Sequence, residues 1–314
     1  MNEWKPITPF EPILSEEIPD GAGWIHQIKW DGVRILTYYD GREVRLCNRK
    51  RNERTGIFPE LVDIQSYASA ESVILDGEVI ALDQEGKPSF HQVMRRDGIR
   101  RPDRVKQAIM EIPVSYMIFD ILFYNGEWIH HRSLKERLEL LTKVVTPNKR
   151  IQVVPTEKDG HALFDVIKRY NMEGIVSKDL SSAYIIKGKN ASWRKIKNYR
   201  DLIAVIGGVT YRSGTVNSML LGLYNKQNQF CYIGHAGTGK LTSSDWKKFT
   251  ERIGTLKTTT RPFTNQPERV KNVQWIKPVI TVKVQYIEWP EGHSLRQPSI
   301  QAFVREDPEQ CRLQ

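Results

Sequence analysis

Two apolar runs near the start of the chain, residues 24–28 and 33–39, flank a polar break at Lys29-Trp30-Asp31-Gly32. Both are rich in β-branched and aromatic residues and predict strands. Asp40-Gly41 predicts a hairpin turn that brings residues 43–47 back as a third strand. The basic stretch 48–54 reads as a loop, and Pro59 opens a helical pattern with Leu61, Ile64 and Tyr67 on one face. Residues 73–82 form an apolar strand interrupted by Asp76 and Glu78, a costly pattern unless cations meet the two carboxylates. Residues 115–123 form another buried strand, closed by an Asn125-Gly126 turn. Helices are predicted over 133–145, where Ser133 and Glu136 have capping-box spacing, and over 159–170. Short strands follow at 173–178 and 192–197, and alternation in the second sends Lys195 and Lys197 to one face. Residues 1–23, punctuated by Pro6, Pro9, Pro12 and Pro19, read as an irregular lead-in.

From Asp201 the texture changes to short strands and glycine-marked turns, at 203–206, 220–224, 230–233 and 279–286. That pattern suits a small β-barrel. The expectation is an α+β domain over residues 1–200 and an all-β barrel over 201–314, with the boundary at residues 199–201. A length of 314 residues is right for about two domains.

Composition narrows the function. No stretch approaches the ~20 apolar residues of a membrane span, and the N-terminus lacks a signal pattern, so a cytoplasmic address is expected. Cys47, Cys231 and Cys311 are scattered and fit a reducing compartment, with neither a disulfide framework nor a zinc site. A net charge of +10 points to a polyanionic partner, nucleic acid first. Basic residues cluster in 48–54 and again from Arg95 to Arg104.

The candidate chemistry lies in polar residues set inside apolar strands: Lys29, Asp31, Arg34, Glu78, Glu173, Lys195 and Lys197. A lysine at a strand end followed by a carboxylate and a glycine suits a nucleophilic amine, or else a surface turn. By residue type alone, Phe119 reads as core, Lys195 and Lys197 as a solvated face or a phosphate site, and Glu78 as a structural partner of an arginine or a functional acid. Residues 49–54 read as a solvated loop or a phosphate clamp.

In order, these residues resemble the covalent nucleotidyltransferases: ATP-dependent DNA ligases, RNA ligases and capping enzymes. Lys29 to Arg34 matches K-x-D-G-x-R, and Asp76-Gly77-Glu78 matches the D-G-E strand. Phe119-Asp120 sits in the aromatic strand motif. Glu173-Gly174-Ile175-Val176 matches the E-G-hydrophobic-hydrophobic motif, and Lys195-Ile196-Lys197 matches K-x-K. Further on, Gly234-His235-Ala236-Gly237-Thr238-Gly239 and Leu295-Arg296-Gln297-Pro298-Ser299 look like the barrel domain of bacterial ligases of non-homologous end joining.

The resemblance implies a nucleotidyltransferase domain followed by an OB-fold, and a DNA ligase using ATP and Mg²⁺, with Mn²⁺ as a substitute. Lys29 would be the nucleophile, assisted by Asp31. Gln27, Lys29, Arg34, Arg49, Glu78, Phe119, Lys195, Lys197 and Arg296 would bind the nucleotide. Glu173, Glu78 and Asp31 would hold the metal, and Arg49, Arg51 and Arg54 would contact DNA. An ordinary lysine amine, of pKa about 10.4, is neutral only about once in a thousand near neutral pH. Lys195 and Lys197 facing Lys29 would favour its neutral form. The implied partners are nicked or broken duplex DNA and an end-binding (Ku-like) protein, with the chain itself a monomer. No polymerase or phosphoesterase module is visible, so a two-domain clamp closing by motion at residues 199–201 is expected.

Two positions depart from the family pattern. Gln27 stands where DNA ligases commonly carry glutamate, and an amide can present either an acceptor or a donor to the base. Arg305-Glu306-Asp307 is followed by Pro308 where the last motif has a basic residue. A separate near-match, Gly234 to Lys240, resembles a phosphate-binding loop, but Leu241 stands where its hydroxyl belongs. The alternatives are an RNA ligase or other lysyl-nucleotidyltransferase, a P-loop-like NTPase, and a non-catalytic OB protein.

Overall fold

The computed structural model describes residues 5–268, 270–290 and 292–313. The chain divides into two compact units, Met1–Asn198 and Tyr199–Gln314. In the first, the strands in chain order are β1 (Glu11–Leu14), β2 (Trp24–Ile28), β3 (Val33–Tyr39), β4 (Val44–Asn48) and β5 (Val73–Ala81). Helices α1 (Phe90–Asp97) and α2 (Val105–Glu111) precede β6 (Val114–Tyr124) and the short β7 (Glu127–Trp128). Then come α3 (Leu134–Val144), β8 (Ile151–Val153), α4 (Gly160–Arg169), β9 (Gly174–Asp179) and β10 (Lys189–Lys197).

These strands make two sheets. One has the order β1-β10-β9-β2, and the other β4-β3-β5-β6-β7 with β8 beside β6. Their pairings are antiparallel except β1 on β10 and β8 on β6. Strand β3 is mostly apolar because both its faces are covered, with Arg34 and Thr37 as its polar positions. Ile35 and Tyr39 enter the core under the 3₁₀ turns and α3, while Leu36 and Tyr38 meet Ile25 and Trp193 of the other sheet. The outer face of that other sheet carries Ile175 and Ile196, covered by Leu163, Phe164 and Ile167 of α4. The sheets therefore pack face to face, with every apolar side covered.

Some expected elements take another form. The lead-in is not wholly irregular, since Glu11–Leu14 adds a parallel strand to β10; residues 1–4 lie outside the described residues. The pattern after Pro59 folds as two 3₁₀ turns, Pro59–Leu61 and Ile64–Ser66, which still bury Leu61 and Ile64. Three helices went unforeseen: α1, α2 and Ser243–Arg252 in the second unit. Their signals were short, with Ser89 capping the first and Thr242 and Asp245 forming a capping box on the last.

The second unit is an OB-like barrel. Its long strand β11 (Arg200–Arg212) pairs with β12 (Thr215–Tyr224), and β12 pairs with β13 (Phe230–Ala236). Helix α5 (Ser243–Arg252) and β14 (Lys257–Thr258) lead to β15 (Gln274–Ile276), β16 (Thr281–Tyr286) and β17 (Ser299–Val304). Register shifts between Ile206 and Gly208 and between Thr210 and Tyr211 bend β11, so that it also pairs with β15 and β16. Among the described residues no helix is long and apolar enough to cross a membrane.

Candidate active site

Register places the candidate residues before any side-chain contact is considered. Val176 of β9 lies between Gln27 of β2 and Lys195 of β10. Two residues along in one direction, Gly174 lies opposite Lys197, and the Lys29 amide donates to the Gly174 carbonyl at 2.9 Å. Two residues along in the other direction, Lys178 lies between Ile25 and Trp193. With the two-residue period of a strand, these residues share the face turned to the other sheet. Gly174 must be glycine, since its φ is +152° and a Cβ would lie 2.1 Å from the Ile196 oxygen. Gly32 is equally constrained, 2.2 Å from the Val79 oxygen.

Lys29 Nζ donates to Glu173 Oε2 at 2.5 Å, and Lys197 Nζ lies 3.9 Å from Glu173 Oε1. The acid is buried, while the Lys29 side chain keeps 22% exposure, so the amine remains reachable. Burial, then the neighbouring Lys197, Lys189 and Lys29, lower the pKa of Lys195. Burial lowers that of Lys197 too, and Lys29 adds to the effect while Glu173 opposes it.

Glu78 pairs in register with Arg34 across β3 and β5. Burial pushes its carboxyl up to about 7, against the opposing charges of Lys29 and Arg34. Between about pH 4.5 and 7 the folded chain thus holds a proton that the unfolded chain has lost. The associated stability is present below the unfolded value and is lost as pH rises through 7. Glu78→Gln, which stays neutral, should therefore gain stability relative to the parent between pH 5 and pH 8, on the order of 1–3 kcal/mol. Melting temperatures of nucleotide- and metal-free protein at the two pH values check this. An unchanged difference would mean that Glu78 titrates in the ordinary range.

Phe119 is half-buried and packs with Trp30 on Ile80, Met117 and Val154. Sequence reasoning overlooked its neighbour Lys178, although Lys178 follows Gly174 and Val176 at the same two-residue spacing. Its amine is buried without a hydrogen-bond partner among the described residues. It lies 4.4 Å from the Phe119 ring centre and 4.0 Å from that of Trp193. Burial lowers its pKa to about 7, with Asp120 and Asp76 opposing. Gln27 is buried, and its Nε2 donates to the Val154 carbonyl at 3.3 Å. A carbonyl can only accept, so the amide nitrogen belongs at that end and Oε1 is left as an acceptor.

Two arginines are structural pins where nucleotide or DNA contacts were expected. Arg34 forks onto Asp76 at 2.9 and 2.6 Å and also donates to the Phe10 carbonyl and the Tyr184 hydroxyl. Four of its five N–H groups are thereby committed. Arg54 Nε donates to Asp97 at 2.7 Å, with both side chains largely buried, so it is not an exposed contact for DNA. Arg49 and Arg51 are exposed, Arg49 lying 3.5 Å from Glu11. Asp31 sits in the bend before β3, where it is half-buried.

Arg296 lies in the second unit, its Nη1 3.3 Å from Glu288, and burial lowers its pKa to about 10. The phosphate-loop near-match is a barrel connection. Lys240 N donates to the Ile300 carbonyl at 2.8 Å, and a Cβ on Gly239 would lie 1.8 Å from the same oxygen. The Lys240 amide is spent on the barrel ladder and cannot join a phosphate cradle. Pro308 opens a 3₁₀ turn capped by Asp307.

Two face-packed antiparallel sheets enclosing a lysine on a buried glutamate, followed by an OB-like barrel, define a nucleotide-binding class of two-domain proteins. The family model for the ATP dependent DNA ligase domain matches residues 7–197, and that for the ATP dependent DNA ligase C terminal region matches residues 212–308. The chain belongs to the ATP-dependent DNA ligase family. It is similar to the multifunctional non-homologous end joining DNA repair protein LigD of Mycobacterium tuberculosis, at 30% identity over 88% of this chain and 35% of that protein. The crystal structure of the ligase domain of M. tuberculosis LigD matches with a TM-score of 0.55 at 27% identity, covering 99% of this chain and all of that one. A mycobacterial DNA ligase D complexed with ATP and MES matches with a TM-score of 0.54 at 26% identity, covering 99% of each. The chain spans about a third of the length of the LigD proteins it matches.

Proposed function

We propose that the chain is a DNA ligase that seals 3′-hydroxyl/5′-phosphate breaks in duplex DNA with ATP, in double-strand break repair. The carrying observation is Lys29 Nζ on Glu173, on the sheet face shared with Lys197 and Lys195. In the first step the Lys29 nitrogen bonds to the α-phosphorus, the bond to the β-phosphate oxygen breaks, and pyrophosphate leaves. A DNA 5′-phosphate oxygen then takes AMP and frees the amine. The 3′-hydroxyl finally attacks that phosphorus and expels AMP.

Lys29 attacks only after losing a proton, and Glu173, in hydrogen-bond contact, is the group that receives or releases it. Lys195 and Lys197 offset the phosphate charge. Gln27 Oε1 accepts from the adenine amino group, and Phe119 stacks on the base. Magnesium fits the residues present, because such an ion takes one or two protein carboxylates and leaves other positions to waters and phosphates. Glu78 and Glu173 feel each other's charge, and burial raises Glu78 to about 7, so a nearby cation would favour its ionised form; Asp31 is a third candidate. When bound, the ion supplies positive charge to the phosphates. Within this proposal the partners are broken duplex DNA and an end-binding protein, the chain is a monomer, and its compartment is the cytoplasm.

Incubation with α-labelled ATP tests the reading. An acid-labile AMP adduct is expected, and a protein that forms none would remove it. Phe119→Ala should weaken ATP use by roughly 10- to 100-fold, since base–aromatic stacking is worth about 1–3 kcal/mol. Circular dichroism separates the roles, because a variant that unfolds would make Phe119 core and nothing more.

A further inference from the structure

Lys178 has no part in the chemistry above, and packing alone does not account for it. Its amine is buried with no hydrogen-bond partner among the described residues, in the middle of a strand that is paired on both sides. A buried ammonium is costly unless an acid or a carbonyl meets it. The two acids whose charge it feels are Asp120 and Asp76, and both are committed elsewhere. Asp76 accepts the fork of Arg34 and the Tyr184 hydroxyl, and Asp120 accepts the fork of Arg137. Three cations thus share two carboxylates, and Lys178 is the one left over. Stability alone favours an apolar residue at such a position.

The amine is set against two rings instead. It lies 4.0 Å from the ring centre of Trp193 and 4.4 Å from that of Phe119. Trp193 is fully enclosed, with Phe10 at 5.0 Å and Tyr184 at 5.7 Å between ring centres, so it forms a fixed wall. Phe119 stands between two apolar clusters. On one side are Trp193, Phe10 and Tyr184. Lys178 joins them there, and so does Arg34, whose guanidinium carbon is 5.3 Å from the Phe119 ring centre and which bonds the Phe10 carbonyl. On the other side are Trp30, Ile80, Met117 and Val154, and the Val154 carbonyl holds the Gln27 amide. In the ligase reading the base lies on the Gln27 side. The opposite side of the ring is backed by two cations.

We infer that Lys178 is a positioning residue for ATP: its amine, wedged between Trp193 and the rear of Phe119, holds that ring in place and polarises it towards the adenine on its other face. The inference rests on the ligase reading and deepens it. A cation against one face of a ring draws π-electrons towards itself and leaves the far face better matched to an electron-rich base. In this role Lys178 touches neither the base nor the reacting atoms.

Only the ammonium form polarises the ring. Burial brings its pKa to about 7, with Asp120 of β6 and Asp76 of β5 favouring the charge and Arg34 of β3 and Arg137 of α3 opposing it. The Tyr184 hydroxyl, bonded to Asp76, is held well above its ordinary value by burial and stays neutral. The charge on Lys178 is therefore present below about pH 7 and lost above it.

The test is Lys178→Met in the full chain, which keeps most of the side-chain volume and removes the charge. The rate of lysyl-AMP formation is measured across ATP concentrations, with Mg²⁺ in excess, at about pH 6 and about pH 8.5. At the lower pH the half-saturating ATP concentration should rise roughly 3- to 30-fold over the parent, while the limiting rate stays within about twofold. At the higher pH the parent's amine is neutral as well, and the ratio should fall to about twofold or less. Taking the ratio at each pH cancels the titration of ATP and of Lys29. The melting temperature of the nucleotide-free variant should equal or exceed the parent's, because an unpaired buried charge has been removed. An unchanged half-saturating concentration at the lower pH overturns the inference, and so does a penalty of equal size at both pH values. A melting temperature lower by more than about 5 °C, a loss of roughly 1 kcal/mol or more, would make the amine a structural member of the core and overturn it too. A parent chain that forms no adduct removes the ligase reading itself, whereas a failure confined to the variant's predicted behaviour leaves that reading standing.

Discussion

Lys29→Arg is expected to reduce formation of the protein–AMP adduct by about a thousandfold or more, because a guanidinium keeps its proton in proteins and offers no lone pair to phosphorus. The substitution retains the positive charge and can still bond Glu173, which meets Lys29 at 2.5 Å. Loss of the adduct would therefore report lost nucleophilicity rather than a collapsed site. The readout is label retained by denatured protein after incubation with α-labelled ATP. A nick carrying AMP in advance bypasses the first two steps, so the variant should still seal some of it. An adduct retained by the variant would move the nucleophile elsewhere, to Lys195 or Lys197, whose pKa values are lowered by burial.

The largest effect on stability is expected from Asp120→Asn. Asp120 and Arg137 are both fully buried, and the guanidinium forks onto the carboxylate at 2.8 and 3.0 Å. Arg137 also donates to the carbonyls of Arg132 and Ser182, tying α3 to the segment after β9. Neutralising the acid leaves a cation enclosed with only carbonyl oxygens to face. Such a loss costs about 3–5 kcal/mol, or a melting temperature lower by roughly 10 °C for a unit of this size. Urea unfolding followed by tryptophan fluorescence measures it. A loss below about 1 kcal/mol would mean that the carbonyls alone satisfy the guanidinium.

The two predictions differ in how far the sequence could lead to them. Lys29 was visible because an amine beside Asp31 and Gly32, between two apolar strands, has little structural reason to exist. Glu78 and Glu173 stood out in the same way. The partner of Asp120 was not visible. Arg137 lies on a helix whose apolar pattern gave no hint that one of its basic positions faces inward. Arg34 is a similar case: it belongs to the lysine motif, yet its charge is met by Asp76, 42 residues away.

What the sequence alone determined is the set of candidate side chains and the order of the elements that carry them. A strand places every second residue on one face, so Lys195 and Lys197 could be paired without coordinates, while their meeting with Gln27 and Lys29 follows from the register of β2, β9 and β10. Gly32 was marked locally, in the polar break between two strands, whereas the constraint on Gly174 came from its φ and the Ile196 oxygen. Only the tertiary structure decided which arginines are available. Arg54 was counted with Arg49 and Arg51 as a DNA contact, but Asp97, 43 residues further on, claims it. The tertiary structure also placed Lys178 between Phe119 and Trp193, from three strands that are distant in sequence. The reason is physical. Periodicity and turn chemistry act over a few residues, whereas the partner of a buried charge is chosen by the packing of sheets whose strands come from opposite ends of a domain.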